Sequence, residues 1–531
     1  MSRDQHLASL PPAHAISTSD QVLGQSPGLS RRSFLRLAGM GGAVAAGGLG
    51  LPGITQASGQ AAKPAPAPAE LATLLDLSLC IGCGACVTAC HESNSTRFPE
   101  PKKPFPTMSP ARVKAEDFSE RREVDNRLTP YNWLFIQTAS GTHQGQAFEV
   151  NIPRRCLHCQ NPPCAKLCPW GAAGREADGT VRIDTDICLG GAKCRQVCPW
   201  SIPQRQTGVG LYLKLMPSYG GNGVMYKCHR CHERMAQGQV PACIEACPNQ
   251  VQSIGPRPEM VEKAKVLAAS MNGHIYGLTE NGGTNTLYVS PVPFVVLDQA
   301  LVVAGQTGPG RPHLKPVPET LATESRLAAL PFLAAFTGLA RGGLSLARHL
   351  PERPWAPAKA KNAGKAPAAA LNSSHPLPIW QRRLFLWIMA GLSLTGMAQM
   401  PIFKRYYIAD IPGLGWLDDF FLVNLLHYAL AAPLLFLLGL WAMNWVRRWR
   451  QDYALTALAL PRAALLAALA ATGLLRIVKN LPMNPIGPLG AMLIDWTHLG
   501  LAALLGLAAL AALLARKSAY AQRLDLAKEK P

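Results

Sequence analysis

The sequence predicts an α+β domain organised around cysteine-bearing loops, followed by an all-α transmembrane helical bundle. Three observations carry this. All fifteen cysteines of the 531-residue chain fall between residues 80 and 247. The carboxyl-terminal third has no cysteine and contains four long apolar segments. Charged residues make up only 16% of the chain, against roughly 25% for a soluble globular protein. The length allows about three or four domains at roughly 150 residues each. A net charge of +20 admits nucleic acid, anionic lipid or membrane topology, and the positions of the basic residues decide between them.

The amino terminus reads as an address. Residues 30–36 are Ser-Arg-Arg-Ser-Phe-Leu-Arg, an apolar Gly/Ala-rich stretch runs from Leu37 to Leu51, and Thr55-Gln56-Ala57 offers small residues for cleavage. This order resembles a twin-arginine export signal over 1–57, which carries folded, cofactor-loaded proteins. Residues 58–69 form an Ala/Pro-rich tether, and 58–325 is expected to work in the periplasm.

The cysteines form four repeats: Cys80-x2-Cys83-x2-Cys86-x3-Cys90, Cys156-x2-Cys159-x4-Cys164-x3-Cys168-Pro169, Cys188-x5-Cys194-x3-Cys198-Pro199, and Cys228-x2-Cys231-x11-Cys243-x3-Cys247-Pro248. Three closely spaced cysteines can wrap three corners of an iron–sulfur cube, while the fourth points to a neighbouring cluster. Proline after the last cysteine stops the local helix. Zinc also uses Cys-x2-Cys pairs, but it does not require a third cysteine and a Cys-x3-Cys step. Disulfides would explain neither the repeat nor the odd count. Cys228-His229-Arg230-Cys231-His232 matches a c-type haem attachment string. A haem there would strip Cys243 and Cys90 of their cluster partners, so iron–sulfur is the expected chemistry. His91, His158, His229 and His232 are then packing or surface residues near the clusters.

The third repeat lacks one ligand, because Gly191 stands where the second cysteine would be. Glycine offers no donor, so one iron corner is bare. A 3Fe–4S cluster is expected there; a fourth, incompletely ligated 4Fe–4S cluster with water or Lys193 on its last iron is the alternative.

Four such motifs in this order resemble the four-cluster ferredoxin-like (beta) subunits of periplasmic respiratory oxidoreductases, of the formate dehydrogenase-N and nickel–iron hydrogenase type. The stretches Leu79–Cys86 and Pro241–Pro248 are the most similar, and the resemblance covers about residues 74–300. It implies two ferredoxin-like halves with two clusters each. Family pairing gives Cys80, Cys83, Cys86 and Cys247 to one cluster and Cys228, Cys231, Cys243 and Cys90 to a second. Cys156, Cys159, Cys164 and Cys198 go to a third, and Cys188, Cys194 and Cys168 to the incomplete fourth. Gly191 departs from that pattern and is more similar to the nitrate and dimethyl sulfoxide reductase relatives. Between motifs, Tyr131–Thr138, Phe148–Ile152 and Leu287–Leu297 have strand character, the last broken by Pro291 and Pro293.

Apolar segments at 384–403, 420–446, 463–478 and 492–515, with a weaker one at 326–348 that contains Arg341, can span a hydrocarbon core of about 30 Å at ~1.5 Å per residue. The Pro-Ala-Lys linker 349–383, the 446–462 loop with Arg447, Arg448, Arg450 and Arg462, and the tail 517–531 are basic. The loop 404–419 offsets Lys404 and Arg405 with Asp410, Asp418 and Asp419. By the positive-inside rule the linker, the 446–462 loop and the tail are cytoplasmic. Five spans result: 326–348, then a four-helix domain over 384–516. The basic balance thus reflects topology, and no motif favours nucleic acid.

His427 and His498 lie at similar depth in the second and fourth helices of that domain, roughly 10 Å from the periplasmic end at ~1.5 Å per residue. Two imidazoles on separate helices suit a b haem, and intramembrane histidines are usually functional. The segment is similar to the cytochrome b gamma subunit of formate dehydrogenase-N, which implies one haem here. The second haem of that family has no counterpart, since the first helix has no histidine and Ala512 stands where the fourth would need one. Arg476 is a candidate partner for a haem propionate, with a snorkelling charge as the alternative. Asn424 and Asp495, each three residues before a histidine, are candidates to orient haem or touch quinone.

The expected function is a membrane-bound electron-transfer subunit. It would carry three 4Fe–4S clusters, one 3Fe–4S cluster and one haem b, between a separate periplasmic catalytic subunit of molybdenum or nickel–iron type and quinone. No nucleophile–base set remains once the cysteines are assigned, so the chain itself converts no substrate. A stand-alone quinol oxidoreductase feeding a periplasmic cytochrome and a haem-free anchor for the ferredoxin-like domain are the competing readings.

Overall fold

The computed structural model describes residues 69–111, 113–344, 376–400, 408–481, 486, 488–516 and 519–524. The expected export signal at 1–57, nearly all of the tether, most of the basic linker, and Lys404 and Arg405 lie outside the described residues.

The cysteine domain is α+β. Its central sheet has four strands in the order β8-β1-β10-β9, where β1 is Leu71–Asp76, β8 Gln252–Pro256, β9 His274–Tyr276 and β10 Thr286–Ser290. β1 runs parallel to β10 (Thr73 opposite Thr286) and antiparallel to β8 (Thr73 opposite Ile254). Buried on both faces, β1 reads as the continuous run Ala72–Leu75, as expected of a central strand. The remaining strands pair as antiparallel hairpins: β2 (Phe135–His143) with β3 (Gln146–Arg154), β4 (Ala173–Arg175) with β5 (Val181–Ile183), and β6 (Gln204–Gln206) with β7 (Val224–Tyr226).

Two of the three sequence-predicted strands need redrawing. β2 begins at Phe135, because Tyr131 and Asn132 are tied to Thr129 in a turn. Leu287–Leu297 divides into β10 and a helix, Phe294–Val303, with Pro293 at its cap. Proline can open a helix but cannot donate to a sheet ladder.

The four cysteine repeats share one local form. In each, the next-to-last cysteine is the second residue of a helix: Cys86 in α1 (Ala85–Asn94), Cys164 in α2 (Pro163–Lys166), Cys194 in α3 (Lys193–Gln196) and Cys243 in α4 (Ala242–Glu245). All four are buried. The last cysteine follows one turn later and is carried away from its own loop.

The carboxyl-terminal region is a helical membrane domain. The helical run Phe420–Asp452, with Ala459–Asn480 and Leu489–Leu514, is long and apolar enough to cross a membrane. The third apolar segment, read as 463–478, is therefore a full 22-residue helix. α5 (Ala329–Leu344), α6 (Ile379–Ala398), α7 (Phe420–Asn444), α8 (Ala459–Asn480) and α9 (Pro488–Leu514) make up the bundle. α5 packs tightly on α7: a Cβ at Gly338 would lie 2.2 Å from the Phe436 carbonyl oxygen, and one at Gly439 2.9 Å from that of Ala335. Only glycine permits this backbone contact. Outside the bundle, β11 (Tyr453–Leu455) pairs with β12 (Ala521–Arg523), which puts the 446–462 loop and the tail on the same side.

Candidate functional site

The fold brings distant repeats together. Cys90 of the first repeat lines one cavity with Cys228, Cys231 and Cys243 of the fourth. Cys80, Cys83 and Cys86 line a second with Cys247. Cys159 and Cys164 each have Cys198 as a close electrostatic neighbour, alongside their own repeat. Cys194 neighbours Cys188 and Cys168. The first and fourth repeats thus exchange their last cysteines, as do the second and third.

Among the described residues, no three His, Cys, Asp or Glu side chains converge as the ligands of a single ion would. A mononuclear zinc site needs four sulfurs at ~2.3 Å from one point. Here the sulfurs of the first and fourth repeats line two cavities, which suits cubes of iron and sulfide. Burial and the Cys243 charge push Cys86 up to about 12. Burial and neighbouring cysteines push Cys90, Cys159 and Cys194 well up. Burial, offset by N–H groups of Met225 and Gly190, leaves Cys188 at about 11. Such thiolates need a cationic centre, and iron supplies one.

Sequence reasoning missed the buried cations beside the cysteines, Arg155 and Lys227 among them. Arg155 Nη1 donates to Cys243 Sγ at 2.8 Å, and its Nη2 has no hydrogen-bond partner among the described residues. Lys227 donates to the carbonyls of Val181 and Cys228, the latter at 3.0 Å, with Cys156 and Cys164 beside it. Burial works against both charges, and the neighbouring cysteine sulfurs shift both groups upward despite it. Each stands immediately before the first cysteine of a repeat, Arg155-Cys156 and Lys227-Cys228. That doublet was the available signal. A cysteine-ligated cluster is anionic, and nearby charge and N–H···S bonds set its potential.

His158, one of the four histidines read as packing, is buried on Cys228. Its Nδ1 accepts from Val181 N at 3.0 Å, so Nε2 carries the proton and faces Cys228 Sγ at 3.8 Å. Burial, with Arg230 and Lys227 nearby, holds it neutral. His229 pairs with Glu233 at 3.0 Å. Near the incomplete repeat, Arg195 forks onto Glu116 at 2.7 and 2.8 Å, and Arg205 joins the same carboxylate. Gly191 is exposed. Lys193, the proposed alternative ligand, has Nζ 3.4 Å from the centroid of the Phe420 ring.

That same face docks on the bundle. Phe420, at the start of α7, shares one buried cluster with Cys188, Cys194 and Val197. Lys166 Nζ donates to the Asn480 and Leu481 carbonyls at 2.9 and 2.6 Å. Burial lowers this amine to about 8. Trp170 meets Trp496 edge to face at 4.9 Å, and Trp496 Nε1 donates to the Pro169 carbonyl at 3.2 Å. Cys168 lies within the field of Lys479.

Beneath the docked face are both membrane histidines. His427 and His498 are electrostatic neighbours, and Arg476 acts on both. Arg476 Nε binds Asp495 Oδ1 at 2.9 Å, and Lys479 binds Oδ2 at 2.5 Å. The structure therefore gives Arg476 a carboxylate partner within the protein. Asn424 is buried, and its Nδ2 has no hydrogen-bond partner among the described residues. Each histidine also touches a threonine on the preceding helix: His427 Nδ1 lies 2.8 Å from Thr395 Oγ1, and His498 Nδ1 2.9 Å from Thr472 Oγ1.

Two models of the 4Fe–4S dicluster domain match, over residues 79–172 and 148–257. The hydrogenase-2 operon protein HybA of Escherichia coli O157:H7 is 29% identical over 308 residues, 51% of this chain and 83% of that protein. The iron–sulfur subunit of nitrate-inducible formate dehydrogenase of Escherichia coli K12 is 30% identical over 229 residues, 42% of this chain and 68% of that protein. The B subunit of anaerobic dimethyl sulfoxide reductase from the same strain is 30% identical over 196 residues, 37% of this chain and 78% of that protein.

Proposed function

This chain belongs to the iron–sulfur electron-transfer subunits of the respiratory oxidoreductases, joined here to a helical membrane domain, and on that premise we propose that it links a separate periplasmic catalytic subunit to the quinone pool. The single observation that carries this reading is the docking contact. The cysteine face bearing Cys168, Cys188 and Cys194 meets the bundle at Phe420, Asn480 and Trp496, next to the helix turns that carry His427 and His498.

In this reading Cys80, Cys83, Cys86 and Cys247 hold one 4Fe–4S cluster. Cys228, Cys231, Cys243 and Cys90 hold a second, and Cys156, Cys159, Cys164 and Cys198 a third. Cys188, Cys194 and Cys168 hold a 3Fe–4S cluster at the repeat that carries Gly191. His427 and His498 hold one b haem, with Arg476 and Asp495 as its nearest ion pair. These groups supply one-electron carriers; the protein supplies their insulation, counter-charge and spacing. Arg155 and Lys227 bring positive charge to thiolates that water cannot reach. The Lys166 and Trp170 contacts fix the domain on the membrane, so that the last cysteine loop stays at one distance from the bundle.

Five spans fit the packing. α5 lies along α7 through glycine contacts and turns Leu330, Phe332, Leu333, Phe336 and Leu339 outward, as a lipid-facing helix would. α6 is 20 residues long, about 30 Å at ~1.5 Å per residue. With the basic linker inside, the cysteine domain lies in the periplasm, where a twin-arginine signal would deliver it already loaded. The catalytic partner is of the molybdenum or nickel–iron type, by analogy with the relatives.

A pyridine haemochrome spectrum of the detergent-purified protein tests the reading. One b haem per chain is the expected result. Absence of haem would reduce the bundle to an anchor, and a c-type spectrum would overturn the assignment of Cys228 and Cys231.

A further inference from the structure

We propose that Thr395 and Thr472 are a matched pair of positioning residues that fix the Nδ1–H tautomer of His427 and His498, leaving both Nε2 lone pairs for one haem iron. The proposal rests on the haem reading above and adds what holds the two ligands in the binding form.

The argument follows the protons. A threonine hydroxyl has one proton to donate. Thr395 Oγ1 lies 2.8 Å from the Gly391 carbonyl oxygen and 3.3 Å from that of Leu392. A carbonyl only accepts, so the hydroxyl proton points back along its own helix. Oγ1 then has only lone pairs for His427 Nδ1, 2.8 Å away, and the ring nitrogen must donate. Thr472 is placed in the same way, with the Leu469 carbonyl as a second acceptor beside the His498 ring. Its Oγ1 lies 3.0 Å from the carbonyl oxygens of both Ala468 and Leu469, and 2.9 Å from His498 Nδ1. A neutral imidazole with its proton on Nδ1 has a bare Nε2, the form that ligates iron.

The ring planes are held as well as the protons. Each threonine is followed by a glycine that the imidazole packs against. A Cβ at Gly396 would stand 3.5 Å from His427 Cε1, and one at Gly473 3.3 Å from His498 Cε1. The arrangement therefore occurs twice: Thr-Gly near the end of α6 faces a histidine near the start of α7, and Thr-Gly in α8 faces a histidine in α9. A hydroxyl that merely satisfied its own helix would need no histidine, and one histidine packed by chance would not be copied in the second hairpin. Outer hydrogen bonds of this kind orient metal-binding histidines and raise their basicity.

The test uses the full-length protein in detergent, with Thr395→Val, Thr472→Val and the corresponding serine variants. Haem content, oxidised low-spin EPR and an optical redox titration are read against unchanged cluster signals. Each valine variant should lose haem affinity about tenfold or more. It should also shift the haem couple toward the reduced form by about tenfold, ~59 mV for one electron, because the ring donates less to ferric iron. Serine, which keeps the hydroxyl, should restore both. If a valine variant is not recovered in the membrane, the alanine variant is read in the same way. Valine variants with wild-type content, potential and EPR overturn the proposal, as does haem loss that serine fails to rescue. A wild-type protein without haem overturns this proposal and the haem reading together, whereas haem in the wild type with unaltered valine variants overturns the tautomer lock alone.

Discussion

The cysteine domain buries cations against sulfur, whereas the membrane bundle pairs its cations with a carboxylate and holds its imidazoles with hydroxyls. Arg155 and Lys227 lie in the protein interior with thiols as their neighbours. Arg476 and Lys479 both close on Asp495. The difference teaches what each region must balance. An unpaired buried charge is too costly to persist, so Arg155 and Lys227 imply an anionic occupant of the cysteine cavities. In the bundle one carboxylate, Asp495, meets two cations, so that cluster keeps one positive charge beside histidines held by hydroxyls.

The largest expected effect separates the two regions outright. His427→Ala or His498→Ala should abolish the haemochrome signal while the iron–sulfur EPR stays at the wild-type level. Loss of both signals would mean that the regions are loaded as one unit.

Gly191→Cys should convert the third repeat to a complete ligand set. The expected result is disappearance of an oxidised-state 3Fe signal and gain of a fourth 4Fe–4S signal on reduction. A wild-type protein with no 3Fe signal would point to the incompletely ligated 4Fe–4S cluster.

Arg155→Gln tests the buried counter-charge. Removing one positive charge beside Cys243 should lower the potential of the adjacent cluster, on the order of 100 mV for a charge at close range in protein. EPR-monitored redox titration reads it, and an unmoved potential would make Arg155 a packing residue. Trp170→Ala should be milder. An edge-to-face pair contributes about 0.5–1.5 kcal/mol, so haem reduction through the cysteine domain should slow several-fold with unchanged cofactor content, as seen by stopped flow.

The smallest effect is pH-dependent. Burial raises the Glu116 carboxyl, but the forks from Arg195 and Arg205 outweigh it and hold it below its ordinary 4.5. A carboxyl lowered in the folded state contributes stability above about pH 4.5 that is lost as pH falls through the folded value. Glu116→Gln should cost about 1–2 kcal/mol at neutral pH and flatten the acid limb of the thermal melting curve.

Much of the cysteine domain was legible in the sequence, because cluster ligation demands fixed local spacing. The repeats place each next-to-last cysteine on a helix and each last one a turn away, and the observed cavities follow that pattern. The strand at Leu287–Leu297 was less legible, since an apolar run does not distinguish a strand from a helix and Pro293 suits a helix start as well as a strand break. The buried cations went unread because a basic residue beside a motif is ordinarily solvated.

By itself the sequence determined the four cysteine repeats, the missing ligand at Gly191, the apolar helices and the two histidines at matching depth, since each is a local pattern of spacing or composition. The tertiary structure decided what no local pattern encodes. It set which cysteines of different repeats share a cavity, and which cysteine face meets Phe420 and Trp496. It turned Arg155 and Lys227 inward onto sulfur and brought Thr395 and Thr472 onto histidines of the next helix. These are contacts between residues far apart in the chain, fixed only when the sheet closes and the helices pack.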